Sequence, residues 1–183
     1  MPAIRRTVVS RLAVVVLSAW PGLLALACVL AMPMDAEAQR LVLLVRHAER
    51  ADGGAPPAGM QGPADPDLSA EGHARAGRLA TMLADAGITR IVVTEFRRTA
   101  QTAEPLARRL ALTPDRMAAA DVKTLTARLA AAADDVVLVV GHSNSIPSIV
   151  AALGGPKITI AESDYGNLFI LVPATRTLTK LRY

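Results

Sequence analysis

The sequence predicts an α/β fold with a largely parallel sheet. Short apolar runs alternate with alanine- and arginine-rich stretches in which apolar residues recur at helical spacing, and this alternation is typical of βαβ units. Two of the apolar runs, Leu41–Val45 and Val136–Gly141, are followed within two residues by a histidine. Because ligands bind at the carboxyl ends of parallel strands, these positions also indicate a binding site.

The first half of the predicted domain contains two strands and two helices. Leu41–Val45 is apolar throughout, as expected of a buried strand. Residues 51–66 contain four prolines and several glycines, which predicts an irregular loop bordering the ligand. Ser69 is the expected N-cap of a helix that carries an apolar stripe and ends at Gly87. A strand over 88–94 and a helix over 97–110 follow.

The second half continues the same alternation. Residues 121–133 should be helical, and 135–140 is the most strongly β-branched run, which favours a strand. Gly154-Gly155 ends the next predicted helix, 145–153. Three further strands are predicted over 157–160, 167–172 and 178–181, with a turn at Pro173-Ala174 before the last of them.

The first 38 residues predict an export signal, outside the domain. Three arginines, at positions 5, 6 and 11, lie near the start, and an apolar stretch follows over 12–30. The segment closes with Ala36-Glu37-Ala38, the small-x-small pattern after which signal peptidase cuts. The apolar stretch is also long enough for an uncleaved membrane anchor, although Pro21-Gly22 inside it favours a cleaved signal. We therefore expect residues 39–183 to form one periplasmic or secreted domain, attached to a membrane only through an uncleaved N-terminal segment.

Composition and charge exclude several other classes of protein. Cys28 is the only cysteine, and if it leaves with the signal, the domain has no disulfide, catalytic thiolate or cysteine-bound metal. A lipid on Cys28 is a weaker alternative, because the residues after it stay apolar. The formal charge is only +4 and aromatic residues are few, which does not predict nucleic-acid binding. The three histidines are not spaced as metal ligands, so no metal is expected.

Two arginines and two histidines near strand ends predict a phosphate site. Arg46 and His47 follow the first strand, and Arg98 lies in the segment after the second. His142 follows the most β-branched run. A guanidinium can hold phosphate oxygens at two points, while a neutral imidazole beside it can attack phosphorus. Core packing alone does not explain four such side chains in these positions.

Three short motifs occur in order along the chain. They are Arg46-His47 after a strand, Arg98–Ala103 at a helix start, and Gly141–Asn144 after a late strand. Together with the helix opening Leu68–Ala76, they resemble the histidine phosphatase superfamily, also called phosphoglycerate mutase-like. The resemblance covers residues 40–172 and looks most like small bacterial members, relatives of phosphohistidine phosphatases. It implies a three-layer α/β/α sandwich with a mostly parallel central sheet, and no cofactor.

The resemblance also implies roles for individual residues. His47 would be the nucleophile that becomes phosphorylated, and Arg46 and Arg98 would bind the phosphoryl oxygens. His142 would complete the pocket. We interpret Ser143, which follows it, as a backbone and hydroxyl donor near the phosphate. Two guanidiniums and two imidazoles can neutralise the charge of a transferring phosphoryl group without a metal.

The proton donor for the leaving group is left open between two carboxylates. Glu49 lies beside the nucleophile in sequence, and Asp121 lies nearest the place from which larger family members supply an acid. Arg97 is an alternative to its neighbour as the phosphate ligand, although the register of the Gln101-Thr102-Ala103 motif favours Arg98. His73 lies on the first predicted helix, away from the strand ends, and should face solvent.

We therefore expect an exported, metal-independent phosphomonoester hydrolase that works through a phosphohistidine on His47. Its substrate would be a small phosphorylated molecule or a phosphoprotein. A non-catalytic binder of phosphate ligands is the main alternative. A phosphoglycerate mutase-type phosphotransferase is disfavoured, because residues 51–66 and 113–121 are too short for the lid that retains a bisphosphorylated intermediate.

Overall fold

The computed structural model of the chain describes residues 40–53, 65–131 and 136–183, which form an α/β fold. These residues lie in one compact unit. Along the described ranges the elements are, in chain order, β1 Leu41–Arg46, α1 Ala70–Met82, β2 Arg90–Thr94, α2 Arg97–Leu110, β3 Asp115–Met117, α3 Val122–Ala131, β4 Val136–Gly141, α4 Ser145–Ala152, β5 Asn167–Val172 and β6 Thr177–Arg182. In these ranges, we find no helix whose length and apolar character would let it cross a bilayer. The predicted export signal falls outside the described residues and stays a prediction.

The strands form one mixed sheet in the order β3-β2-β4-β1-β5-β6. The first four of these strands pair in parallel, whereas β5 and β6 are antiparallel to their neighbours. Helices α1 and α2 pack on one face of the sheet, and α3 and α4 pack on the other. The predicted three-layer α/β/α sandwich with a mostly parallel central sheet is therefore confirmed.

The central strands are buried on both faces, which explains why they appear in the sequence as continuous apolar runs. Along β1, Leu43 and Val45 pack on the side of α1 and α2, while Val42 and Leu44 pack on the side of α3 and α4. None of the four is more than 4% exposed. Each such side chain contributes about 1.5–3 kcal/mol relative to exposure, so both helical layers are held to β1.

Some predicted element positions are wrong. Residues 157–160 form no strand, because β5 occupies the place beside β1, and Ile160 instead packs into the core on the α3 and α4 side. The short edge strand β3 has no apolar pattern that would predict it. Helix α1 ends at Met82, and Gly87 adopts a φ of +69° in the connection to β2. Residues 132–133 of the predicted helix 121–133 lie outside the described residues.

The parallel register brings the ends of β1, β2 and β4 together. Arg46 lies opposite Gly141 in the β1–β4 pair, and Val93 lies opposite Val140 in the β2–β4 pair. The backbone N–H of His47 donates to the carbonyl of Gly141 at 2.9 Å, which continues the contact past the end of β1. The residues that follow these three strands therefore meet at one edge of the sheet.

Gly72 marks a close approach between α1 and the segment after β1. A Cβ at this position would collide with the backbone carbonyl oxygen of Glu49, and that oxygen is held by the N–H of Ser69 at 2.9 Å. We expect Gly72→Ala to lower the free energy of unfolding by about 1–3 kcal/mol in urea denaturation. Gly77→Ala, in open space on the same helix, should raise it by about 0.5–1 kcal/mol. Equal stabilities of the two variants would contradict the close approach.

Candidate active site

A cavity of about 340 Å³ lies where β1, β2 and β4 end. Five residues of the predicted phosphate site line it: Arg46, His47, Arg98, His142 and Ser143. The two arginines and the two histidines are between 4% and 8% exposed. Arg46 pairs with Glu162 at 2.8 Å, and Arg98 lies 3.4 Å from Asp65. The guanidiniums and imidazoles together give the cavity several donors that suit an anionic ligand.

His47 is held in the neutral form that can act as a nucleophile. Its Nδ1 lies 2.8 Å from the carbonyl oxygen of Ala48, which accepts a hydrogen bond and so places the proton on Nδ1. The lone pair is therefore on Nε2. Burial lowers the pKa of His47 to about 3 against the opposing effect of this hydrogen bond, and the nearby charges of Arg98 and Arg46 also lower it. At neutral pH the imidazole is uncharged.

His142 lies beside His47, with ring centroids 5.3 Å apart in an edge-to-face arrangement. Burial, followed by the charge of Arg98, lowers the pKa of His142 to about 4. Its Nε2 is 3.0 Å from the hydroxyl of Thr94, which is 3.0 Å from the hydroxyl of Thr99. Because Thr99 donates to a backbone carbonyl at 2.7 Å, Thr94 must donate to Thr99 and accept from Nε2–H. A proton gained by His142 therefore goes to Nδ1.

The two buried arginines each stack on an aromatic ring. The guanidinium carbon of Arg46 is 4.2 Å from the ring centre of Tyr165, and that of Arg98 is 4.1 Å from the ring centre of Phe96. Planar guanidiniums on aromatic faces keep their N–H donors in the plane of the group, where they can meet phosphate oxygens. The rings therefore orient both cations at the cavity.

Two guanidinium donors at this cavity lack an acceptor. The Nε–H groups of Arg46 and Arg50 are buried, and neither has a hydrogen-bond partner among the described residues. Both side chains line the cavity. Buried donors are nearly always satisfied in folded proteins, so orphaned ones in a cavity indicate a ligand that accepts hydrogen bonds. No group of three or more His, Cys, Asp or Glu side chains in the described ranges could hold a metal ion.

Glu49 does not reach the cavity, contrary to its expected role as proton donor. Both of its carboxylate oxygens accept from Nε of Arg75, at 2.7 and 2.9 Å. Burial alone would raise the pKa of Glu49, but the hydrogen bonds and charge of Arg75 outweigh burial and lower it. The carboxylate is therefore ionised and committed to α1, because the chain turns away from the cavity directly after His47.

Asp121 and Arg97 also lie apart from the cavity lining. Asp121 is exposed before α3, where its carboxylate accepts the N–H of Thr124 at 3.1 Å and thereby has a lowered pKa. It caps the helix and is not placed to donate a proton in the cavity. The side chain of Arg97 is 58% exposed and pairs with Asp67. Its neighbour Arg98, in contrast, is buried and lines the cavity.

Sequence reasoning missed four residues that line the cavity: Arg50, Phe96, Ala119 and Glu162. Arg50 could have been noticed, since it follows the histidine by three residues. Phe96 is one of only two phenylalanines and adjoins the arginine pair. Glu162 carried no local signal, because it comes from the irregular segment before β5. Its carboxylate accepts from Nη2 of Arg46 at 2.8 Å and from the hydroxyl of Ser143.

Comparison with known proteins agrees with this geometry. Residues 42–121 match the family model described as histidine phosphatase superfamily (branch 1). No curated protein has a significantly matching sequence. A mycobacterial glucosyl-3-phosphoglycerate phosphatase superposes with a TM-score of 0.59 at 18% identity, over 79% of this chain and 98% of that one. The protein histidine phosphatase SixA, solved with tungstate, gives 0.58 at 22% identity, over 77% and 94%.

A third solved structure, a candidate α-ribazole-5′-phosphate phosphatase from Escherichia coli K-12, has a TM-score of 0.63 at 18% identity, over 79% of this chain and 95% of that one. At such identities these structures share the fold. The family match covers the segment that carries Arg46, His47 and Arg98, and the sheet places His142 beside them. Over residues 42–121 the chain therefore matches the histidine phosphatase superfamily, and its fold is the one that these solved structures share.

Proposed function

We propose that the protein is a phosphomonoesterase that works through a phosphohistidine on His47. The observation that carries this proposal is the buried, neutral imidazole of His47 beside Arg46 and Arg50, whose Nε–H groups have no acceptor among the described residues. A phosphate ester supplies the missing acceptors and also offers an electrophilic phosphorus to Nε2. The cavity volume is in the range of small-molecule sites, and the substrate is a small phosphate ester or a phosphorylated protein.

Binding would begin with charge neutralisation. Arg46 and Arg98 are preorganised by their aromatic neighbours, and Arg50 adds a third guanidinium at the same cavity. In phosphoryl transfer, charge spreads over the three equatorial oxygens of the transferring group, and fixed cations stabilise it most effectively where water is excluded. The arginines therefore serve both binding and rate.

The transfer itself then takes two steps. Nε2 of His47 attacks phosphorus, the N–P bond forms, and the P–O bond to the leaving group breaks with its electron pair going to oxygen. The imidazole becomes cationic, and its Nδ1–H stays with the carbonyl of Ala48, which stabilises that charge. Water then attacks phosphorus, the N–P bond breaks, and inorganic phosphate leaves.

Ligands bound in similar solved structures support a phosphate site in this cavity. The mycobacterial glucosyl-3-phosphoglycerate phosphatase has been solved with inorganic phosphate and with VO3, and SixA with tungstate. These ligands are oxyanions. A related pocket that offers arginine and histidine donors suits the same class of ligand.

Turnover of p-nitrophenyl phosphate tests the proposal. We expect hydrolysis by the purified protein, with acid-labile phosphate trapped on His47 after rapid quenching. Because burial holds the pKa of His47 near 3, kcat/KM corrected for the titration of the substrate should not fall through loss of the nucleophile between about pH 7 and 5. Binding of inorganic phosphate without any turnover would instead favour a non-catalytic phosphate binder.

A further inference from the structure

We propose that Glu162 is the general acid that protonates the leaving group, an assignment that rests on the proposed phosphatase function. Sequence reasoning offered Glu49 and Asp121 for this role, and both carboxylates lie elsewhere. Glu162 is the one carboxylate among the described residues that line the cavity. It contacts Arg46 and Ser143, two residues of the proposed phosphate pocket.

The position of Glu162 fits the geometry of an in-line displacement. His47 is only 4% exposed, so it attacks from the base of the cavity. The leaving oxygen departs on the side of phosphorus opposite the nucleophile, which is the open side. The side chain of Glu162 is 81% exposed while its oxygens contact the pocket, so it lies at the mouth, where the leaving group passes.

The backbone that carries Glu162 is held in place although the side chain is exposed. Nη1 of Arg46 donates to the carbonyl oxygens of Ala161 at 3.0 Å and Glu162 at 2.6 Å. The ring of Tyr165 stacks on the same guanidinium, and Ile160 is buried in the core. One arginine therefore fixes both the phosphate pocket and the carboxylate beside it, which is the preorganisation that proton transfer needs.

Other carboxylates near the site do not line the cavity. Glu49 is paired with Arg75. The carboxylate of Asp65 accepts a backbone N–H at the start of α2 at 2.9 Å and lies 3.4 Å from Nη1 of Arg98, and that of Glu95 accepts a backbone N–H in the connection after β3 at 2.7 Å. Neither is a lining residue of the cavity.

The proton balance closes over the two steps. The proton to be transferred starts on the carboxyl group of Glu162. When the P–O bond breaks, the leaving oxygen takes this proton as the N–P bond to His47 forms. The carboxylate then accepts a proton from the water that attacks the phosphohistidine, and Glu162 returns to its protonated form. The Ser143 hydroxyl orients the carboxylate through its hydrogen bond.

Leaving-group dependence of Glu162→Gln tests the assignment. Glutamine keeps the size and one acceptor oxygen, and because the side chain is 81% exposed, the variant should fold as the wild type does. An alkyl phosphate such as ethyl phosphate needs its leaving alkoxide protonated, whereas the p-nitrophenolate of p-nitrophenyl phosphate leaves unaided. We expect kcat/KM to fall by about 100-fold or more with ethyl phosphate and by less than about 5-fold with p-nitrophenyl phosphate.

Glu104→Gln is the matched control, because it removes an exposed carboxylate that pairs with Arg108 on α2 and does not line the cavity. It should change kcat/KM for the two esters by one common factor. Equal losses with both esters in Glu162→Gln, or no loss with either, would overturn the assignment. The wild type is assayed first. If it hydrolyses neither ester, the phosphatase proposal itself fails.

Discussion

Alanine in place of His47 should reduce kcat for p-nitrophenyl phosphate by at least about 10⁴-fold, since loss of a nucleophile removes the covalent route and not merely one contact. No phosphate should be trapped on the variant after acid quenching. Binding of inorganic phosphate should persist, because the arginines remain, and isothermal titration of phosphate measures this directly.

His73→Ala is the control for this result. His73 is exposed on α1, away from the cavity, and its loss should leave turnover and the circular dichroism spectrum at wild-type values. His47→Asn, which retains a polar group near Ala48, covers the case in which alanine disturbs folding. Retention of substantial turnover by folded His47→Asn or His47→Ala would show that the nucleophile is another residue.

Arg98→Ala should lower kcat/KM by about 10²–10³-fold, with a rise in KM and a fall in kcat together. The guanidinium is buried against Phe96 at the cavity, so its charge acts in a low-dielectric environment on both the bound ester and the transition state. Steady-state kinetics with p-nitrophenyl phosphate separates the two effects. Urea denaturation shows whether the variant remains folded.

Arg97→Ala provides a sequence-adjacent comparison. Its 58% exposed side chain pairs with Asp67 on the surface, and exposed ion pairs contribute little. We expect less than about a 3-fold change in kcat/KM for this variant. A larger loss from Arg97→Ala than from Arg98→Ala would reverse the assignment of the phosphate ligand.

The fold was predictable where local pattern and tertiary environment agree. Strands β1 and β4 are buried on both faces, so they appear as unbroken apolar runs, and helix α1 begins after the Ser69 cap that its sequence predicts. Prediction was wrong where the two disagree. Residues 157–160 look like a strand but fill the core as an irregular segment, and the edge strand β3 pairs through backbone hydrogen bonds with hardly any apolar side chains.

Cavity residues were predictable when they follow strands directly. Parallel strands end at a common edge whatever their side chains, so motifs placed after β1, β2 and β4 had to converge. Adjacency in sequence was misleading for Glu49. A residue two positions past the nucleophile has already turned with the backbone, and its carboxylate meets Arg75 on α1.

The sequence by itself determined the buried central strands, the nucleophile candidate His47 and the convergence of Arg98 and His142 with it, because apolar periodicity and parallel topology follow general rules. Only the tertiary structure decided which carboxylate stands at the cavity. Glu162 reaches Arg46 across 116 residues of chain. Such a contact depends on the path of an irregular segment over the folded sheet, and no local pattern in the sequence encodes that path.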